Sequence, residues 1–179
     1  TKIVNLSQEV TRILALESST IHLRKEMCQL NDVINDVQRR NTIASSNKQI
    51  DVLLDLEENL PEAMIDPQKI DEVLDNLLSN SIKFSHKGSQ VRIKSYSDEK
   101  SITVEVSDNG LGMSEDDIRQ AFQRGTRLSA KPTAGESTSG FGLWVVKKLV
   151  EAHNGHVWVK SVIGKGSTFY FNLPIISND

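Results

Sequence analysis

The stretch Asp75-Asn-Leu-Leu-Ser-Asn-Ser-Ile-Lys-Phe-Ser85, DNLLSNSIKFS, closes a longer apolar periodicity that begins at Asp66-Pro67. That dipeptide is a strong helix start: the aspartate supplies an N-cap, and a proline in the first turn gives up only an N–H that would be orphaned anyway. From there Ile70, Val73, Leu74, Leu77 and Leu78 recur at i, i+3, i+4, i+7 and i+8, the stripe of a helix with one buried face. Asn76, Asn80 and Lys83 follow at spacings of four and three, within roughly 60° of one another beside that stripe. A helix that only fills a core does not need two amides and an ammonium on one flank. Amide oxygens are neutral hard ligands suited to Mg²⁺, and an ammonium is a mobile point charge suited to phosphate. On this helix alone, ordinary polar residues at the border of a core account for them equally well.

The flanking chain alternates between helical and extended patterns. Ile3, Leu6, Val10 and Ile13 form a heptad-like stripe over residues 1 to about 18, the expected end of a longer helix packed on a partner, with an ordinary helix folded onto this domain's own core as the alternative. Ile21–Arg24 is expected as a short strand, and Leu30, Val33, Ile34 and Val37 as a helix that ends in the polar region Arg39–Lys48. Ile50–Leu56 alternates as a strand, and 57–61 is a loop. Val91–Ser97 and Ser101–Ser107 are strands, the second with period two. Ser114 caps a short helix with an acidic first turn. Phe141–His153 is a helix stopped by Asn154-Gly155, and His156–Val162 and Ser167–Leu173 are the last strands. Mixed helices with hairpin-paired strands make this an α+β sandwich, not a doubly wound sheet.

Two further segments carry chemistry. Asp108-Asn-Gly-Leu-Gly-Met113 follows a strand directly; its carboxylate can accept from an amine, and Gly110 and Gly112 allow a backbone to approach a ligand. By itself the segment is equally a capped turn. Ser137-Thr-Ser-Gly-Phe-Gly-Leu143 opens a helix whose free N–H groups form an anion site, or is simply a flexible loop before a helix. Between them, Arg124 to Gly140 holds three glycines, a proline and many Ser and Thr with almost nothing apolar. Such long loops within a domain are usually functional. Gly164-Lys-Gly-Ser167 lacks the upstream glycine and following helix of a phosphate-binding loop and is a hairpin turn. His153 and His156 have no third ligand cluster and are not a metal site.

The 179 residues and 37 % hydrophobic content allow one good core. A formal charge of −3 leaves no footprint for nucleic acid. The lone Cys28 excludes an internal disulfide and fits a packed hydrophobe in a reducing, cytoplasmic compartment. No apolar run spans a bilayer, though a parent protein with a membrane anchor is compatible with this stretch.

Taken in order, the motifs resemble the ATP-binding catalytic domain of sensor histidine kinases, within the superfamily of gyrase B, Hsp90 and MutL ATPases. DNLLSNSIKFS resembles the N box, DNGLGM the first glycine box, Ala121-Phe-Gln-Arg124 the F box, and SGFGLWVVKKLVEAHNGHVWVKS the second glycine box with its helix and strand. GKGSTFYFNLP resembles the terminal strand. The resemblance covers roughly residues 19 to 175 and implies a two-layer sandwich of a mixed, mostly antiparallel sheet on helices, the Bergerat-type ATPase fold. It divides the chain into 1–18, the end of a dimerisation helix, and 19–179, the catalytic domain, with an ATP lid at about 124–139.

The resemblance also implies the site. Asn80 would ligate Mg²⁺, with Asn76 beside it, Lys83 on the phosphates and Phe84 against adenine. Asp108 would accept from the adenine amine, with Gly110, Gly112 and Met113 around it and Thr168 supporting it through water. Ser139, Gly140, Phe141, Gly142 and Leu143 would bring backbone N–H groups to the phosphates, and Arg127 of the lid would reach the γ-phosphate. Gly125 stands where the family has a second phenylalanine, Thr138 where it has a glycine, and Trp144 where it has a small residue. A weaker lid anchor, mobile without nucleotide, is expected. None of His22, His86, His153 and His156 precedes an acidic residue as a phosphoacceptor would. The expected activity is therefore transfer of the γ-phosphoryl group of ATP to a histidine on a dimerisation domain absent from this chain, then to a response-regulator aspartate. The parent would be a homodimer and this chain a monomer or weak dimer. An anti-sigma-type serine kinase, or a nucleotide-gated interaction module that transfers nothing, are the alternatives.

Overall fold

The computed structural model describes residues 21–136 and 138–175. The stripe over residues 1–18 and Ser137 lie outside them. The described chain runs β1 (Glu26–Cys28), α1 (Leu30–Arg40), α2 (Thr42–Asn47), β2 (Asp51–Leu56), β3 (Ala63–Ile65), α3 (Pro67–Phe84), β4 (Gln90–Ser97), β5 (Ser101–Asp108), α4 (Glu115–Gln120), α5 (Gly142–Ala152), β6 (His156–Val162) and β7 (Gly166–Pro174). A five-stranded sheet in the order β2-β4-β5-β7-β6 is antiparallel except where β2 pairs parallel with β4. The parallel step needs a crossover, and β3 with α3 supplies it. β1 and β3 form a separate antiparallel pair.

One sheet face buries Val91, Ile93, Val104, Val106, Phe169, Phe171 and Leu173 against the helices. All five residues of the α3 stripe, Ile70, Val73, Leu74, Leu77 and Leu78, are fully buried, as the periodicity requires. Each contributes about 1.5–3 kcal/mol relative to exposure. The opposite sheet face is polar and aromatic, with Trp158 stacked on Tyr170 at 5.1 Å. No helix among the described residues is long and apolar enough to cross a membrane. Cys28 packs against the core, and burial, with the charges of Glu26, Asp32 and Glu62, pushes its thiol above the ordinary value. That suppresses the reactive thiolate.

Two expectations change. The first strand is Glu26–Cys28 instead of Ile21–Arg24. The Arg24 N–H is taken by the Asp66 carboxylate at 2.9 Å, so it does not join a strand ladder. The polar region after α1 also contains a helix, α2, whose six residues TIASSN carry no apolar stripe. Asn41, just before it, donates to Val37 O at 3.0 Å and to Asp75 at 2.8 Å, a tertiary contact that no local pattern announces.

α3 is fixed at its start by two polar contacts. The Asp66 carboxylate accepts from Lys69 N at 3.2 Å, the expected N-cap. The Asp66 N–H donates to Nε2 of His153, which is buried, at 3.0 Å. That assignment makes Nδ1 the protonated ring nitrogen, and it donates to Leu149 O at 2.7 Å. His153 thus joins the end of α5 to the start of α3 in its neutral form, with both ring nitrogens engaged by the backbone and neither left for a metal. Burial holds its pKa below the usual 6.5, with Lys25 adding to the depression and the Leu149 bond and Asp66 opposing it. The folded chain then binds a proton less readily than the unfolded chain. The stabilisation is complete above about pH 6.5 and is lost as pH falls below it. His153→Gln is expected to cost about 1–3 kcal/mol at pH 7.5 and to flatten the fall in urea midpoint between pH 7.5 and 5.5. Equal slopes in the two proteins would contradict this.

Candidate functional site

The flank of α3 that carries Asn76, Asn80 and Lys83 is half-buried and faces the start of α5 across a cleft of about 670 Å³, counting its open mouth. The Asn76 amide nitrogen donates to Glu72 O at 2.8 Å, which turns its carbonyl oxygen toward α5. A side chain on Gly142 would meet that oxygen at 2.9 Å and the Asn80 amide nitrogen at 3.9 Å. Glycine is what lets the first turn of α5 come so close. α5 has no side-chain N-cap, so its leading N–H groups are left for a ligand. Among the described residues, neither the Asn80 amide nor the Lys83 ammonium is held by another side chain or a carbonyl.

Asp108 ends β5 and is 7 % exposed, at the inner end of the same space. Its Oδ1 accepts from Gly110 N at 2.9 Å and from Ser167 N at 3.2 Å. Burial pushes its carboxyl up, while those two N–H groups and the neighbouring Ser81 hydroxyl oppose the rise. The Ser81 hydroxyl is buried without a well-formed hydrogen bond of its own. An inner cavity of about 420 Å³ joins Asp108, Gly112, Met113, Ser167 and Phe169 to Asn80, Phe84 and Leu143, which also line the outer cleft. Phe84, the last residue of α3, stands at the junction of the two.

Thr126, Arg127, Leu128 and Ala130 of the loop before α5 and the exposed Thr138 and Ser139, with Gly140, line the outer cleft from its other side. Ser139 Oγ accepts from Phe141 N at 3.4 Å. The Phe141 ring packs against the core and lies 3.7 Å from where a side chain on Gly125 would begin. An aromatic ring is therefore beside the position where the resemblance finds a phenylalanine missing. Ser129 bonds through its backbone N–H and hydroxyl to Asp117 of α4.

Two predicted residues fall elsewhere. Thr168 pairs with Ser107 in the strand register and does not line the cavity; Ser167, paired with Asp108, does. The inward parity of Phe169, Phe171 and Leu173 marks Ser167 as inward too, a signal legible in the sequence. Gly110 does not line the inner cavity, and it makes room for the protein itself: a side chain there would lie 2.4 Å from the Phe84 carbonyl. Sequence reasoning also missed Leu128 and Ala130, which line both cavities. Leu128, the single large aliphatic residue in the polar stretch 124–139, was the available signal.

The region 65–177 matches the family model described as histidine kinase-, DNA gyrase B- and HSP90-like ATPase. The chain belongs to this ATPase family. The sensor protein kinase WalK of Staphylococcus epidermidis is 27 % identical over 175 residues, 97 % of this chain and 28 % of WalK. The chain thus spans a little over a quarter of that relative. Full-length ShkA in complex with AMPPNP superposes with a TM-score of 0.85 at 22 % identity, covering 97 % of this chain and 36 % of ShkA. Histidine kinase ThkA in complex with response regulator protein TrrA gives 0.80 at 20 % identity, covering 98 % of this chain and 48 % of ThkA. These likenesses in structure establish the fold of this ATPase family member.

The Gly142 contact yields a direct check. Gly142→Ala should push the Asn76 carboxamide aside, a shift of a side-chain tip, and weaken ATP binding about tenfold, or about 1.4 kcal/mol, with little change in thermal stability. Unchanged affinity in a titration with a fluorescent ATP analogue would show that the Asn76–Gly142 approach is irrelevant to the site.

Proposed function

We propose that this chain binds Mg·ATP and donates the γ-phosphoryl group to a histidine on a separate helical domain, in two-component signalling. The observation that carries the reading is the pairing of two ends of one space. At the outer end an uncapped helix start faces the uncommitted Asn80 and Lys83; at the inner end sits a buried carboxylate. The first suits a polyphosphate and the second an exocyclic amine.

The donor set fits Mg²⁺. Among the described residues no cluster of three or more His, Cys, Asp and Glu is placed to hold a metal. Mg²⁺ commonly takes only one or two protein ligands and completes its shell with substrate phosphates and water. Asn80, with Asn76 beside it, would hold the ion, which when bound neutralises phosphate charge. Lys83 and the N–H groups at Gly140–Leu143 would orient the phosphates, and Arg127 at the cleft rim would approach the γ-phosphate. Phe84, Met113 and Leu143 would flank adenine and shut out water. Asp108, whose Oδ2 takes neither backbone donor, would accept from the adenine amine, with Ser167 in the supporting role. Phosphoryl transfer asks mainly for such positioning and charge stabilisation.

The acceptor histidine would lie on a dimeric helical region outside this chain, with a response-regulator receiver domain next in line. WalK is named a sensor protein kinase, and ThkA has been captured with a response regulator; both facts support extending that activity here. The test supplies a separately made histidine-containing helical region with labelled ATP and Mg²⁺. Acid-labile label on that histidine, lost in Asn80→Ala, is the expected result. Label only on a serine of an added partner would favour the serine-kinase reading, and bound nucleotide with no transfer would favour a gated module.

A further inference from the structure

We infer that Lys48 is a positioning residue of this site: its buried ammonium ties the lid, at Glu136, to the end of the helix that carries Asn80 and Lys83. Lys48 follows α2 and is 8 % exposed, unusual for a lysine. Its Nζ donates to Ile82 O, Lys83 O and Glu136 Oε1, each at 2.8 Å. An ammonium has three donors, and all three are used. Ile82 and Lys83 belong to the last turn of α3, whose carbonyls have no intrahelical partner and form the negative end of the helix dipole. The cation is where that end requires one.

The lid side of the contact is equally built. Glu136 Oε2 accepts from Ala134 N at 2.9 Å. Thr133 N donates to Lys83 O at 3.0 Å, and its hydroxyl donates to Ser85 O at 2.6 Å. Burial pushes the Glu136 carboxyl up, but the bonds from Lys48 and from the N–H groups of Glu136 and Ala134, with the charge of Lys48, bring it below its usual range.

Position decides what the contact does. Arg127 and Gly140 face the nucleotide cleft, whereas Ala134 and Glu136 line a second cleft with Asn47 and Lys48, and Ser79 and Lys83 border both. The lid therefore crosses over the end of α3 and is fastened behind it. Thr133–Glu136 cannot lift without breaking the Lys48–Glu136 contact along with the Thr133 bonds to Lys83 O and Ser85 O, so weakening the Lys48 contact speeds the escape of bound nucleotide.

The inference rests on the nucleotide reading of the front cleft, and the experiment separates the two. Glu136→Gln, Lys48→Met and the double variant of this chain are compared by backbone hydrogen exchange across 126–136 without nucleotide, by release rate of a fluorescent Mg·ATP analogue, and by thermal melting. Glu136→Gln should speed exchange at Thr133–Glu136 and nucleotide release by roughly threefold to tenfold, with its melting temperature unchanged. Lys48→Met should do the same and also fray the end of α3, and the double variant should release no faster than Lys48→Met. Unchanged exchange in Glu136→Gln, faster exchange with unchanged release, or multiplying effects in the double variant would each overturn the proposal. A chain that binds no nucleotide would sink the functional reading, while the exchange data would still decide whether the fastening exists.

Discussion

The helix Pro67–Phe84 is held by buried polar groups at both ends and by an apolar face along its length. Asp66 caps its first turn and donates its own N–H to His153 of α5; Lys48 caps its last turn through Ile82 O and Lys83 O. Between them the fully buried stripe from Ile70 to Leu78 fixes its rotation against the sheet. Rotation is the property that matters for the cleft, because a turn of the helix by one residue would carry Asn76, Asn80 and Lys83 roughly 100° away from α5. The polar flank faces the cleft because the apolar flank has nowhere else to go.

The second fixed point is the junction of β5 and β7. The Asp108 carboxylate is anchored by N–H groups from two directions, Gly110 in the turn that follows β5 and Ser167 on the neighbouring strand β7. Gly166 permits that crossing, since a side chain there would lie 1.9 Å from the Asp108 carbonyl. A carboxylate held this way cannot swing toward solvent, so it stands as an acceptor already in place. By comparison, exposed pairs such as Arg40–Asp71 and Lys147–Glu151 contribute at most about 1 kcal/mol each.

Much of this is legible in the sequence because the decisive signals are local. The α3 stripe, its Asp-Pro start, the Ser114 cap and acidic first turn of α4 and the two terminal strands follow from periodicity and capping over a few residues. The parity of β7 is equally readable: it sets Ser167, not Thr168, beside Asp108. What sequence reasoning could not supply was contact between distant segments. Lys48 sits in a polar run and looks like any surface lysine until residues 82, 83 and 136 arrive around it. The α2 helix has no apolar stripe, and the Gly110 requirement depends on the Phe84 carbonyl. Each is a consequence of packing rather than of pattern.

The central claim is that one space reads adenine at Asp108 and phosphates at α3 and α5. Titrating this chain with Mg·ATP and Mg·GTP side by side tests it most directly, because guanine presents a carbonyl where adenine presents the amine. Facing a buried carboxylate with an acceptor should cost about 1.5–3 kcal/mol, or roughly ten- to a hundredfold in Kd. Preference for Mg·ATP of that size, erased in Asp108→Asn, is the result expected. Equal affinity for the two nucleotides, or no binding of either, would contradict it.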